Sequence, residues 1–372
     1  MDRIRGFDGL RAVALIAVFL QHFTALGAAY ETGGYGVWLF FVLSGFLIVR
    51  LLAADREAIE ARTTSPGVAL RGFFRRRLLR IAPAYYLMLA VVTAGVAAHL
   101  IGGVAPAALP WFWTQLSDLY FAFVAGRWTG PLTHLWSVAV EGQFYLLAGP
   151  ALLLAPRRAA QGVCAATVVA ALAADLVLRT GDANAVALYA NPLTNFGAIA
   201  FGGCVGLRLP KRPAGGARSW PALAPLVGLI VFAFAFQHIG AYPPATARLI
   251  AAAPFWVAAV LSGLALAGVY LNQESRLARA LEWGPLAGLG RVSYGVYLYH
   301  NLLPRRLLAG LGWPAPEAVE ALVGFALALA LAALSWRFVE RPALALAARP
   351  CRPPQALARR PPASSATAIS SR

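Results

Sequence analysis

Charge is what this chain has least of. Only 13% of its 372 residues are Asp, Glu, Lys or Arg, against 60% apolar, and its mean hydropathy is +0.66. A soluble domain with so few charges would lack a polar surface, so composition excludes that class and leaves a multi-pass membrane protein. Acidic residues are the scarcer sign, 15 against 32 basic, for a net charge of +17. That excess does not point to nucleic acid, because the arginines lie between apolar runs instead of on one polar domain. They read as topology signals, and no nucleic-acid partner is expected. Cysteine is nearly absent too. Cys164 and Cys204 fall in apolar segments and Cys351 near the C-terminus, a pattern that excludes a disulfide framework and metal-ligand spacing.

What is present is a series of apolar runs. They predict an all-α polytopic protein of about ten transmembrane helices, at roughly 10–29, 35–53, 83–102, 134–155, 161–179, 186–207, 220–238, 247–271, 285–303 and 315–336. The shorter aromatic stretch Trp111–Val124 is bracketed by Asp118 and Arg127 and reads as interfacial or re-entrant. With the N-terminus inside, 26 basic residues fall in inside segments. Only Arg127, Arg179, Arg248, Arg305 and Arg306 fall outside, with Arg291 in or near a span. This positive-inside bias predicts that both termini are cytoplasmic. Arg3, Arg5 and the small residues near Ala25–Ala29 mimic a cleaved leader. The run between them is longer than a usual leader core and holds Gln21 and His22, so a retained span is expected. Residues 1–342 read as one membrane domain, and 343–372, rich in Arg, Pro, Ala and Ser, as a basic disordered cytoplasmic tail.

Ionisable residues inside such runs are costly and mark function. Arg11 and His22 lie on the first run, three helical turns apart on one face, which puts His22 roughly 16 Å above Arg11. The competing reading is a snorkelling Arg11 and a His22 packed with one hydrogen bond. Arg77 and Arg80 stand one turn apart at the cytoplasmic edge of the third span, a pair of planar forks suited to phosphate, although positive-inside charge alone explains many such clusters. In the fourth span His134, Ser137, Glu141 and Tyr145 share a face. Glu141 is the only carboxylate in that span and must meet a cation, a hydroxyl or water. Ser293, Tyr297 and His300 form a further polar face whose groups otherwise satisfy neighbouring helices.

Together these residues resemble the bacterial acyltransferase family 3, membrane proteins that O-acylate envelope glycans and other sugars or small molecules. The resemblance covers most of residues 3–342. It rests on Phe7-Asp-Gly-Leu-Arg11 with His22 after it, Phe40-Phe-Val-Leu-Ser-Gly-Phe46, Arg77-Leu-Leu-Arg80 with Pro83, and His134-Leu-Trp-Ser-Val-Ala-Val-Glu-Gly-Gln-Phe-Tyr145. Ser293-Tyr-Gly-Val-Tyr-Leu-Tyr-His300 and Phe338-Val-Glu-Arg-Pro342 complete it. Each motif is weak alone, and their order is specific.

The family implies a cell inner-membrane location, an acyl-CoA co-substrate, chiefly acetyl-CoA, approached from the cytoplasm, and activity that needs Arg11, His22, Arg77 and Arg80. No Gly-Asp-Ser nucleophile block follows the tenth span, so the chain resembles the stand-alone subgroup without a hydrolase-like domain, acting directly or through a separate acceptor-modifying protein. The chemistry fits acyl transfer to a hydroxyl. His22 is the expected base, Arg11 a donor to phosphate, Asp8 or the thioester oxygen, and Glu141 an orienting or acceptor-binding carboxylate. Arg77 and Arg80 are the expected CoA-phosphate ligands, and Ser137, Tyr145 and His300 the expected substrate contacts. Neither a metal nor a tightly bound cofactor is expected. The alternative is a transporter or flippase with an intramembrane His/Glu/Arg path, against which stands the lack of an inverted repeat.

Overall fold

The computed structural model describes residues 3–181, 183–238, 250–305 and 307–348. Arg248, Arg306, the first residues of the expected 247–271 span and the expected tail from 349 on lie outside them. The described residues are helical, with one isolated bridge between Gly215 and Asn272 and no strand. The long elements are α1 (Phe7–Phe23), α2 (Thr32–Glu60), α3 (Pro66–Ala97), α4 (Leu135–Leu154), α5 (Arg157–Thr180), α6 (Pro192–Arg208), α7 (Trp220–Phe236) and α8 (Ala253–Leu271). They are followed by the shorter α9 (Gly284–Arg291) and α10 (Ser293–Tyr299), and by α11 (Glu317–Ser335).

Among the described residues six helices are long and apolar enough to cross a bilayer: α2, α3, α4, α5, α8 and the continuous run Glu317–Ala348. Helices α1, α6 and α7 have 17 residues each. The expected ninth span is not one helix. It breaks at Val292 between α9 and α10 and ends in a tight turn, His300–Leu302. Two further boundaries move. Ser65 caps α3 by accepting from the Val68 amide and Pro66 occupies its first turn, so the basic stretch before Pro83 is helix, and Pro83 lies inside it. At the other end, helix Arg341–Ala348 packs on α3, and Arg75 donates to the Ala347 carbonyl at 3.1 Å. The first residues of the expected tail are therefore folded. The aromatic stretch forms three short pieces, Leu109–Trp113, Ser117–Leu119 and Tyr120–Ala125, as its length suggested.

Helix α2 is the central element, packed on α1, α4, α6 and α8. Apolar burial drives helices together weakly in lipid, so close backbone approach through small residues matters more. A Cβ added at Gly45 would stand 1.7 Å from the Ile199 carbonyl oxygen, and one at Gly202 1.9 Å from that of Val42. The two glycines thus let α2 and α6 touch backbone to backbone beside Ser44. Gly45→Ala is expected to lower the yield of monodisperse protein in detergent and its melting temperature, since overpacking costs about 1–3 kcal/mol. Gly67→Ala, where an added Cβ meets nothing within 4 Å, is the matched control. Equal melting temperatures for the two variants would refute this account of the contact.

Buried charges outside the site have structural partners. Arg50 of α2 donates to the carbonyls of Gly206, Pro210 and Lys211 and to the Tyr270 hydroxyl, capping the C-terminal end of α6. Arg179 pairs with Asp175 at 2.9 Å within α5, and Trp256 Nε1 donates to the same carboxylate at 3.0 Å.

Candidate active site

Two cavities meet inside the bundle. The first is a partly open cavity of about 120 Å³ between α1, α2, α3, α4 and α10. Its polar lining is Arg11, Arg77 and Arg80, then Ser44, Ser137, Glu141, Tyr145 and Ser293. Arg11 holds Asp8 one turn earlier at 2.8 Å. Arg77 lies over the Tyr145 ring, 5.7 Å from its centroid, and its Nε is buried without a hydrogen-bond partner. Glu141 forms no ion pair among the described residues. Its Oε1 accepts from the hydroxyls of Ser44 and Tyr145, which themselves lie 2.6 Å apart. Hydroxyls therefore satisfy the lone carboxylate and leave Arg77 and Arg80, beside the Asp8-paired Arg11, facing one cavity, an arrangement that favours an anion.

The second cavity, partly open and about 690 Å³, is aromatic. Tyr189 sits among Trp136, Trp38 and Trp128, with ring centroids 5.1, 5.9 and 5.9 Å away. Polar groups are interleaved with these rings: Gln21, His22, Glu31, Thr133, Asn301 and Arg305. Flat apolar faces with polar groups between them suit a sugar ring. The cavities share two lining residues, Val37 of α2 and Tyr297 of α10. Tyr297 OH lies 2.6 Å from Ser137 Oγ and donates to the His134 carbonyl at 2.9 Å, so the wall is tied to α4.

The expected site residues divide between these spaces. Arg11, Arg77, Arg80, Ser137, Glu141 and Tyr145 come together in the basic cavity, although they lie on three helices far apart in sequence. His22 does not join them. The three turns separating it from Arg11 carry it into the aromatic cavity, so Glu141 does not face the same space. His300 lines neither cavity. It is fully buried, with its ring centroid 5.0 Å from His22 and 5.0 Å from His134. The expected substrate contact His300 thus lies against two other imidazoles, outside the lining of both cavities. Among the described residues no group of His, Cys, Asp or Glu is arranged to hold a metal ion.

Several site residues escape a reading along single helices. Ser44 is the only polar residue between Val37 and Val49, and that isolation was its available signal. His134 lies on the expected polar face of α4, but its proximity to His300 is invisible locally. No residue of the aromatic stretch Trp111–Val124 lines the cavity: Trp113 stacks on Tyr86 at 5.6 Å and Trp111 lies against Tyr120 at 6.0 Å, while Trp128, just beyond the stretch, does line it. Trp38, Trp136 and Tyr189 supply the other rings.

An acyltransferase-domain family matches residues 4–337. The peptidoglycan O-acetyltransferase OatA of Listeria monocytogenes is 27% identical over 361 residues, covering 91% of this chain and 55% of its own length. The putative peptidoglycan O-acetyltransferase YrhL of Bacillus subtilis is 27% identical over 319 residues, 80% of this chain and 48% of its own. The O-acetyltransferase OatA of Staphylococcus aureus is 34% identical over 154 residues, 38% of this chain and 23% of its own. The chain thus spans about half the length of the first two relatives. No solved structure matches significantly.

Proposed function

The chain belongs to this acyltransferase family, and from that premise we propose that it is a membrane O-acyltransferase. In this reading it transfers an acyl group, chiefly acetyl, from acyl-CoA to a hydroxyl of a sugar or cell-envelope glycan. The observation that carries the proposal is the shared wall: a basic cavity and an aromatic, histidine-bearing cavity meet at Val37 and Tyr297. Arg77, Arg80 and Arg11 hold the CoA phosphates on the cytoplasmic side. The pantetheine arm points along the cavity towards Tyr297, and the sugar lies on the tryptophan faces of the second cavity. This assignment goes with ten crossings, both termini cytoplasmic and a location in the inner membrane, which the distribution of basic residues supports.

The step is an acyl exchange. The acceptor oxygen attacks the thioester carbonyl carbon while its proton passes to His22. The tetrahedral intermediate then expels the CoA thiolate, which takes that proton back, giving an ester and free CoA. Peptidoglycan is the acceptor named for the relatives, and a glycan of that kind suits the aromatic cavity here. A separate acceptor-modifying protein remains compatible with this scheme, since an ester can pass to a second carrier. The transporter reading has less support, because a transport path does not explain a phosphate-type basic cavity closed by a tyrosine wall.

Sealed vesicles holding labelled acetyl-CoA only on the cytoplasmic side, with a glycan fragment outside, test the proposal. The expected product is an acetylated glycan outside and free CoA inside, read by mass spectrometry. Ester confined to the donor side would refute the cross-membrane arrangement, and no CoA release under any condition would refute the enzyme.

A further inference from the structure

A base that takes a proton from a hydroxyl works best when a second group fixes its tautomer and ring orientation. Glu141 does not reach the cavity of His22, and the charged groups lining that cavity are Glu31 and Arg305. The neighbour in ring contact is His300, at 5.0 Å between centroids with the rings inclined by 60°.

The hydrogen bonds of His300 define what it can offer. Its Nδ1 lies 2.6 Å from the Tyr297 carbonyl oxygen, which only accepts, so Nδ1 carries the proton. In the neutral ring Nε2 is then a bare acceptor. That nitrogen is buried and has no hydrogen-bond partner, an arrangement that costs free energy unless something donates to it. His134, the other imidazole 5.0 Å away, cannot fill the role, because its Nε2–H is directed at the Leu298 carbonyl at 3.1 Å. His22 is the remaining imidazole with an N–H to give.

We propose that His300 is the positioning residue of His22: its buried Nε2 accepts the N–H of His22 and leaves the other His22 nitrogen bare towards the aromatic cavity. The role rests on the acyltransferase reading for its consequence in catalysis, but the tautomer it imposes exists without substrate. No proton passes to His300. It holds the hydrogen bond while His22 gains and returns the acceptor's proton, and it steadies the imidazolium that forms in between. A break between α9 and α10 is what permits this, since the turn His300–Leu302 sets the imidazole behind the wall and away from either cavity.

Nitrogen NMR of protein labelled with 15N-histidine tests the arrangement apart from activity. The chain has only five histidines, and the His22 signals are assigned by their loss in His22→Ala. In the wild type His22 is expected to show one tautomer, with distinct protonated and bare nitrogens. In His300→Leu those signals should move towards the average of two tautomers. In His300→Gln, whose amide oxygen stands near the lost Nε2, they should stay close to wild type. Acyl transfer should follow the same order: kcat falls about a hundredfold in His300→Leu with KM for acyl-CoA unchanged, and recovers to within about tenfold in His300→Gln. Wild-type His22 signals in a folded His300→Leu variant would overturn the proposal. A tautomer that depends on His300 in a protein that never consumes acyl-CoA would instead leave the positioning intact and refute the enzyme reading.

Discussion

His22→Ala is expected to abolish acyl transfer, by about 10²- to 10⁴-fold, while the protein accumulates in membranes at a near-normal level. The size follows from removing the proton acceptor for the attacking hydroxyl, which raises the barrier by about 3–5 kcal/mol. The abundance follows from the position of the side chain. His22 is half-buried at the edge of the aromatic cavity, so its loss removes little packing. The measurement pairs product formation, by mass spectrometry of acetylated glycan, with the amount of monodisperse protein after detergent extraction. A well-folded variant that keeps a tenth or more of the activity would show that another group takes the proton. Loss of the folded protein itself would show that the imidazole is structural.

Arg77→Lys should weaken acyl-CoA binding by about 10- to 100-fold. Charge-assisted hydrogen bonds contribute about 1.5–3 kcal/mol, and an ammonium group keeps the charge while losing the planar fork and the stacking on Tyr145. Arg80→Lys is expected to act in the same direction. Arg71 on the same helix is exposed and lines neither cavity, so Arg71→Lys should leave the affinity unchanged. Titration of purified protein with acetyl-CoA distinguishes this from an effect of overall charge, since all three substitutions conserve charge. Equal affinities in the three variants would return Arg77 and Arg80 to a role in membrane topology alone.

How far the molecule was legible from its residues differs between the helices and the site. The scarcity of charge, the apolar runs and their order were enough for an all-helical membrane protein, because backbone polar groups in lipid must be satisfied within the segment. The same scarcity made Arg11, His22, Arg77, Arg80 and Glu141 conspicuous, since ionised groups persist in such runs only where something compensates their desolvation. Helix ends were less legible. Ser65 and Pro66 start α3 well before its apolar run begins, and the α9–α10 break falls within a run that hydropathy reads as continuous.

The grouping of the residues was decided by tertiary structure alone. Helical periodicity states which side chains share a face, and it placed Arg11 and His22 together on α1, but it does not state what that face meets. In the fold, one end of it meets α3 and α4 and becomes the basic cavity, while the other meets the tryptophans and becomes the aromatic one. The partners of Glu141 and His22 show the same limit. Ser44 reaches Glu141 across 97 positions of sequence, and His300 reaches His22 only because a broken helix returns to α1. A cavity exists where several helices fail to fill space between them, and no single helix carries that information.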